Sequence, residues 1–317
     1  RRHALEPAGT RVRIDCFADF GLLRVFELAA LRDRDEVGAG PGELQAVERG
    51  VVDPATVLDD FVAEKAREVY HYYYHQHYPA DETLWARDHR RSPLYDRLAG
   101  LGAEFGEKNG WERVNFFRPG EPSRQAADDQ HQWGWGRAPY HDLIREECLA
   151  ARERVALFDM TSFGKFEVSG PGALGLLQRV ACNNIDRPIG SLVYTQFLNA
   201  HGGIESDLTV CRLATDRFRV ITGTSFLSND LEWVRSHAPA DGSVEIRDVT
   251  DDLACIGMWG PDARDVLGQA TGDDLSNDAF PYLTARELTV AGKPAWAQRV
   301  SYIGELGWEL YLANTDA

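Results

Sequence analysis

The sequence predicts an α+β fold, with antiparallel strands and separate helices rather than a regular strand–helix–strand alternation. Two observations carry this. Between Val193 and Val210, and again between Trp296 and Leu312, two β-rich runs flank a glycine-containing turn, which marks a hairpin. Helical spacing of apolar residues appears separately, at Pro54 to about His77, at 141–153 and at 172–182. The chain has 317 residues, enough for a substantial core and two or three domains, and it shows no internal repeat.

Along the chain, residues 1–85 are rich in Arg, Asp and Ala, with loop signals around Gly38-Ala39-Gly40-Pro41-Gly42 and then the first helix, in which Val57, Phe61, Lys65 and Val69 recur at helical spacing. Residues 86–140 read as loop-rich, punctuated by Pro93, Pro119, Pro122 and Pro139. From His141 the pattern sharpens: a helix, a strand at Lys165–Val168, a Gly-Pro turn, the helix at 172–182 and then the two hairpins. The chain opens at Arg1 without Met and ends at Ala317 just beyond a strongly patterned strand, as expected of a fragment.

Composition excludes several function classes. A formal net charge of -16 argues against binding nucleic acid or an anionic membrane surface, both of which need clustered Lys and Arg. Lys65, Lys108, Lys165 and Lys293 are the only lysines, so arginine carries nearly all the positive charge. Cys16, Cys148, Cys182, Cys211 and Cys255 are scattered without a C-x-x-C pair, which argues against the common zinc spacings and against a disulfide framework. Free thiols and the lack of an apolar run near ~18 residues or a signal peptide point to the cytoplasm.

Four stretches are candidates for chemistry. Gly38–Gly42 fails as a dinucleotide fingerprint, because Glu43 stands where the third glycine belongs and the preceding residues 32–36 are charged. His71 and His75 lie one helical turn apart, which can suit a metal, but no third ligand is evident and an aromatic helix packing on a neighbour accounts for them; no metal is expected. In the run 204–210, alternation puts Leu208 and Val210 on one face, and Asp207 with Thr209 on the other beside Gly202-Gly203. An acid and a hydroxyl beside a turn that permits close approach make a candidate site; a solvated strand face is the alternative. In 296–312, Gly304 and Gly307 bracket an expected four-residue turn, pairing Tyr302 with Glu309 and Val300 with Tyr311. Tyr302, Glu309 and Tyr311 would then converge, two rings around one carboxylate, which suits a flat heterocycle with N–H donors. The alternative is a structural hairpin with an exposed glutamate.

These stretches carry a family likeness. Tyr-Thr-x-x-Leu-Asn-x-x-Gly-Gly-Ile-x-x-Asp (194–207) and Arg-x-x-Tyr-x-Gly-Glu-x-Gly-x-Glu (299–309) resemble the signatures of the aminomethyltransferase folate-binding fold. So do 158–163 (Phe-Asp-Met-Thr-Ser-Phe), 168–173 (Val-Ser-Gly-Pro-Gly-Ala) and 257–263 (Gly-Met-Trp-Gly-Pro-Asp-Ala). Upstream, 90–96 and 106–113 resemble the segment that joins a flavin domain to the folate domain in dimethylglycine and sarcosine dehydrogenases, which glycine-cleavage T-proteins lack.

The resemblance implies residues 86–137 as the end of a flavin-dehydrogenase domain and 138–317 as a folate domain cut before its C-terminal β-barrel, with 1–85 unassigned. It implies tetrahydrofolate as cofactor, with FAD in a flavin domain outside this chain, fused to it or associated with it. That domain would oxidise an N-methyl amine, and the folate would capture the resulting iminium carbon as methylenetetrahydrofolate. By motif position Asp207 is the catalytic acid, and Thr209, Thr222, Tyr302, Glu309 and Tyr311 line the folate. Arg299 either faces the ligand's glutamate tail or pairs with an acid. A stand-alone aminomethyltransferase or folate-dependent demethylase is the nearest rival, and a non-catalytic folate-binding module is the rival of another class.

Overall fold

The computed structural model describes residues 22–23, 54–74, 82, 84–125 and 135–317. The glycine-rich stretch at 38–42 and His75 lie outside them. In chain order, β1 (Leu22–Leu23), α1 (Pro54–Tyr72), α2 (Tyr95–Gly100), β2 (Ala103–Lys108), β3 (Trp111–Phe117) and β4 (Arg124–Gln125) precede α3 (His141–Glu153). Then come β5 (Ala156–Asp159), β6 (Gly164–Ser169), α4 (Ala173–Val180), β7 (Leu192–Leu198), β8 (Ile204–Ala214), β9 (Arg217–Thr222) and α5 (Leu227–Ser236). The last elements are β10 (Glu245–Asp248), β11 (Leu253–Trp259), α6 (Ala263–Ala270), β12 (Ala285–Val290), β13 (Lys293–Gln298) and β14 (Gly307–Ala313). The expected α+β class and helix α3 are as read from the sequence.

Two larger sheets organise the described residues, one ordered β1-β5-β11-β14-β13-β12 and one ordered β10-β6-β9-β8-β7. Alternation in β6, β8 and β9 sends Phe166, Val168, Leu208, Val210, Phe218 and Val220 to one face, where they bury against Leu176, Leu177 and Val180 of α4 and Leu231 and Val234 of α5. Each such side chain contributes about 1.5–3 kcal/mol by leaving water, and a one-residue slip would turn all of them outward. Leu192, Cys211 and Ile221 point to the other face and join a second core with Cys255 and Tyr311 of the six-stranded sheet. The two sheets therefore meet across that face.

A pairing not evident in the sequence is a doubled unit of strand, Gly-Pro and helix: β6–Gly170-Pro171–α4 and β11–Gly260-Pro261–α6. Both glycines hold positive φ, +106° and +144°. A Cβ at Gly260 would fall 2.2 Å from the carbonyl oxygen of Arg154, and one at Gly170 would fall 2.4 Å from that of Ser243, so only glycine fits either corner.

Two expectations need correction. The region read as loop-rich contains α2 and the β2–β3 hairpin, which closes through Asn109-Gly110, both at positive φ, with Lys108 paired to Trp111. Phe105, Val114 and Phe117 enter the same core as the six-stranded sheet. The second correction concerns the hairpin at 296–312. Glu309 pairs with Gln298, not Tyr302, and Tyr311 pairs with Trp296, not Val300. The connection is the longer loop 299–306, because long-range bonds claim its start. Arg299 N–H donates to the Thr284 carbonyl at 2.8 Å and Leu283 N–H to the Arg299 carbonyl at 2.9 Å, while the Trp259 indole donates to the Val300 carbonyl at 2.7 Å.

Candidate active site

The face that β8 turns toward the six-stranded sheet carries Asp207, Thr209 and Cys211. Across the ladder from them stand Gln196, Tyr194 and Leu192 on β7, and Ile221 and Arg219 on β9. Leu208 and Val210 are buried on the opposite face, as the alternation predicts. Asp207 is exposed, and its Oδ2 accepts a hydrogen bond from the Tyr194 hydroxyl at 2.7 Å. That bond holds the carboxylate in one orientation and raises the pKa of the Tyr194 phenol.

Glu309 and Tyr311 lie two residues apart on β14 and so share a face. Glu309 is buried, and its Oε2 accepts from the Tyr311 hydroxyl at 2.6 Å. Burial pushes the Glu309 carboxyl up to about 7, and the Tyr311 bond only partly offsets it. Among the described residues no Lys, Arg or His forms an ion pair with it. A buried carboxylate without a cation is costly unless something donates to it.

The two faces come together at Cys211, which lies near Trp296, Arg219 and Glu309 and whose thiol burial pushes up to about 12. The Arg219 guanidinium stands 5.6 Å from the Tyr311 ring centre and is paired with Glu167 at 2.9 Å. From Cys211 to Asp207 is four strand residues, about 13 Å at the usual rise. Glu309 thus marks one end of an inter-sheet face and Asp207 the other, with Thr209 and Ile221 between.

Three residues expected beside them are placed elsewhere. Tyr302 is 70% exposed on the 299–306 loop and is not the cross-strand partner of Glu309, though it is near enough to Tyr194 to act on its phenol electrostatically. Thr222 lies on the α5 side of its sheet, where its hydroxyl donates to Asp230 at 2.5 Å. Arg299, just past the end of β13, donates to the Phe280 carbonyl and to Asn277 at 2.8 Å, and among the described residues no acid pairs with it.

The family model for the GCVT N-terminal domain matches residues 94–317. The chain belongs to the GCVT family. Among its relatives, 4-methylaminobutanoate oxidase (formaldehyde-forming) of Paenarthrobacter nicotinovorans is 41% identical over 238 residues, covering 75% of this chain and 28% of that protein. The mitochondrial sarcosine dehydrogenase of Homo sapiens is 35% identical over 289 residues, covering 81% of this chain and 32% of that protein. The chain therefore spans about a third or less of these enzymes. The glycine-cleavage aminomethyltransferase T of Bartonella henselae shares the fold with a TM-score of 0.56 at 24% identity, over 72% of this chain and 55% of that one.

Within this GCVT domain, the motif at 158–163 is a structural knot. Asp159 accepts from the Ser92 hydroxyl at 2.5 Å and from Thr161 N–H at 3.0 Å. Lys165 is buried, donates to the carbonyls of Thr161 and Phe163, and has its pKa lowered by that burial to about 8. His71 stacks on Trp85 at 5.6 Å, and no group of three His, Cys, Asp or Glu suited to a metal occurs among the described residues. No described helix is long and apolar enough to cross a membrane. Tyr194, Cys211 and Arg219 were missed by the sequence reading. Tyr194 was accessible to it, since the hairpin register puts Tyr194 one strand over from Asp207, whereas Cys211 and Arg219 gain meaning only once the sheets are stacked.

Proposed function

We propose that this chain is the tetrahydrofolate-dependent one-carbon transfer portion of a flavin-linked N-methyl amine dehydrogenase. The observation that carries it is Glu309: a buried carboxylate beside a tyrosine, with no ion-pair partner among the described residues, at the other end of the inter-sheet face from Asp207. Such a group fits the amino and ring N–H donors of a pterin, which would relieve its burial by paired hydrogen bonds. Bound tetrahydrofolate would supply the nitrogen nucleophile that takes up the carbon. Asp207, steadied by Tyr194, would orient that nitrogen and stabilise the positive charge developing beside it. Thr209 lies on the same face between the two acids, and Tyr302, near enough to Tyr194 to act on its phenol, would cover the Asp207 end. Identity of 41% and 35% to 4-methylaminobutanoate oxidase and sarcosine dehydrogenase supports a flavin domain, carrying FAD, as the source of the one-carbon unit.

Calorimetric titration with 5-formyltetrahydrofolate tests this reading. Saturable binding is expected, weakened at least tenfold (about 1.4 kcal/mol) by Glu309→Gln, which cannot accept two N–H bonds as a carboxylate does. Equal affinity in the variant would remove Glu309 from the site.

A further inference from the structure

Gln298 has no role in the chemistry described so far, yet its setting is unusual. It is 0% exposed, and neither its Nε2 nor its Oε1 has a hydrogen-bond partner among the described residues. A buried carboxamide left unpaired destabilises a fold, and an apolar side chain of similar volume would serve β13 better. Gln298 is the direct cross-strand partner of Glu309, so the two side chains project on the same face with Cβ atoms about 5 Å apart. Trp296 and Tyr311, the next cross-strand pair on that face, lie against Cys211 and Arg219 of the facing sheet. The carboxylate accepts only; the carboxamide both donates and accepts. Side by side they match a heterocycle edge on which N–H donors adjoin a ring carbonyl.

We infer that Gln298 is a specificity-determining residue that donates its side-chain N–H to the ring carbonyl of the bound pterin, next to the N–H edge taken by Glu309. This rests on the folate reading above and extends it from one recognised edge to two. A ligand lacking the carbonyl leaves the amide unpaired, so the site discriminates by the cost of an unmet buried donor. The same logic explains why the residue is tolerated: an amide with no partner among the described residues gains one when the ligand arrives.

The test uses the 317-residue chain with Gln298→Met, nearly isosteric, and Gln298→Leu as a second apolar replacement. Each is titrated with 5-formyltetrahydrofolate and melted without ligand, beside wild type and Glu309→Gln. Both replacements are expected to weaken binding tenfold or more while the ligand-free Tm stays level or rises. A merely structural amide would give the opposite: a fall in ligand-free Tm in both variants overturns the inference whatever the affinity. Wild-type affinity in folded Gln298→Met, with Glu309→Gln still weakened, overturns it and leaves the folate reading intact. Absence of binding by folded wild type removes both together.

Discussion

If the chain is the folate portion of a flavin-linked dehydrogenase, as proposed, replacing Asp207 with asparagine in the whole protein is expected to leave flavin reduction by the N-methyl amine unchanged and to cut enzyme-dependent formation of methylenetetrahydrofolate by ~10²–10⁴-fold, the usual worth of a positioned acid–base group. The substitution keeps shape and the Tyr194 contact, since an amide oxygen still accepts from a hydroxyl. What it removes is the negative charge that, on the proposed reading, faces the reacting nitrogen. Asp207 is exposed at a strand face rather than packed in a core, so the change should not unfold the chain. Quantifying the folate product by mass spectrometry separates the two half-reactions. An undiminished yield would take Asp207 out of the chemistry.

Binding of reduced folate is expected to weaken about tenfold for each pH unit below 7 and to level off above it. The sign follows from Glu309, whose carboxyl is raised from 4.5 to about 7 by burial. Below that value the free protein holds the protonated acid, which must lose its proton before it can accept two N–H bonds. Binding at pH 6 therefore releases a proton, visible as an enthalpy that changes with the ionisation heat of the buffer. The same shift acts oppositely on the ligand-free fold. A group whose folded pKa is raised gives stability that is fully present below 4.5 and is lost as pH rises through about 7. Glu309→Gln should flatten both profiles. A wild-type affinity independent of pH between 5 and 8 would contradict the assignment of the ionised carboxylate to the ligand.

Local pattern was enough for much of this fold. Alternation from Ile204 to Val210 separates Leu208 and Val210 from Asp207 and Thr209, and the spacing of Glu309 and Tyr311 puts them on one face whatever the register. The β2–β3 hairpin is also legible, for Asn109-Gly110 is the strongest two-residue turn signal, while the prolines at 93, 119 and 122 lie outside its strands. The register of the last hairpin was not legible. Its loop is set by Thr284, Leu283 and Trp259, residues whose proximity to 299 and 300 arises only in the folded sheet. Gln298 was invisible for the same reason, because its importance depends on pairing with Glu309. Thr222 and Arg299 are polar residues whose motif positions suggest a ligand, yet Asp230, Asn277 and the Phe280 carbonyl engage them.

Whether the face between β8 and β14 holds a reduced folate is tested most directly by a crystal structure of the chain grown with 5-formyltetrahydrofolate. The expected density puts the pterin's amino edge against Glu309 and its nitrogens nearest the one-carbon group toward Asp207. Ligand density elsewhere on the molecule, or an empty inter-sheet face in crystals whose chain is intact and saturated with ligand, would contradict it.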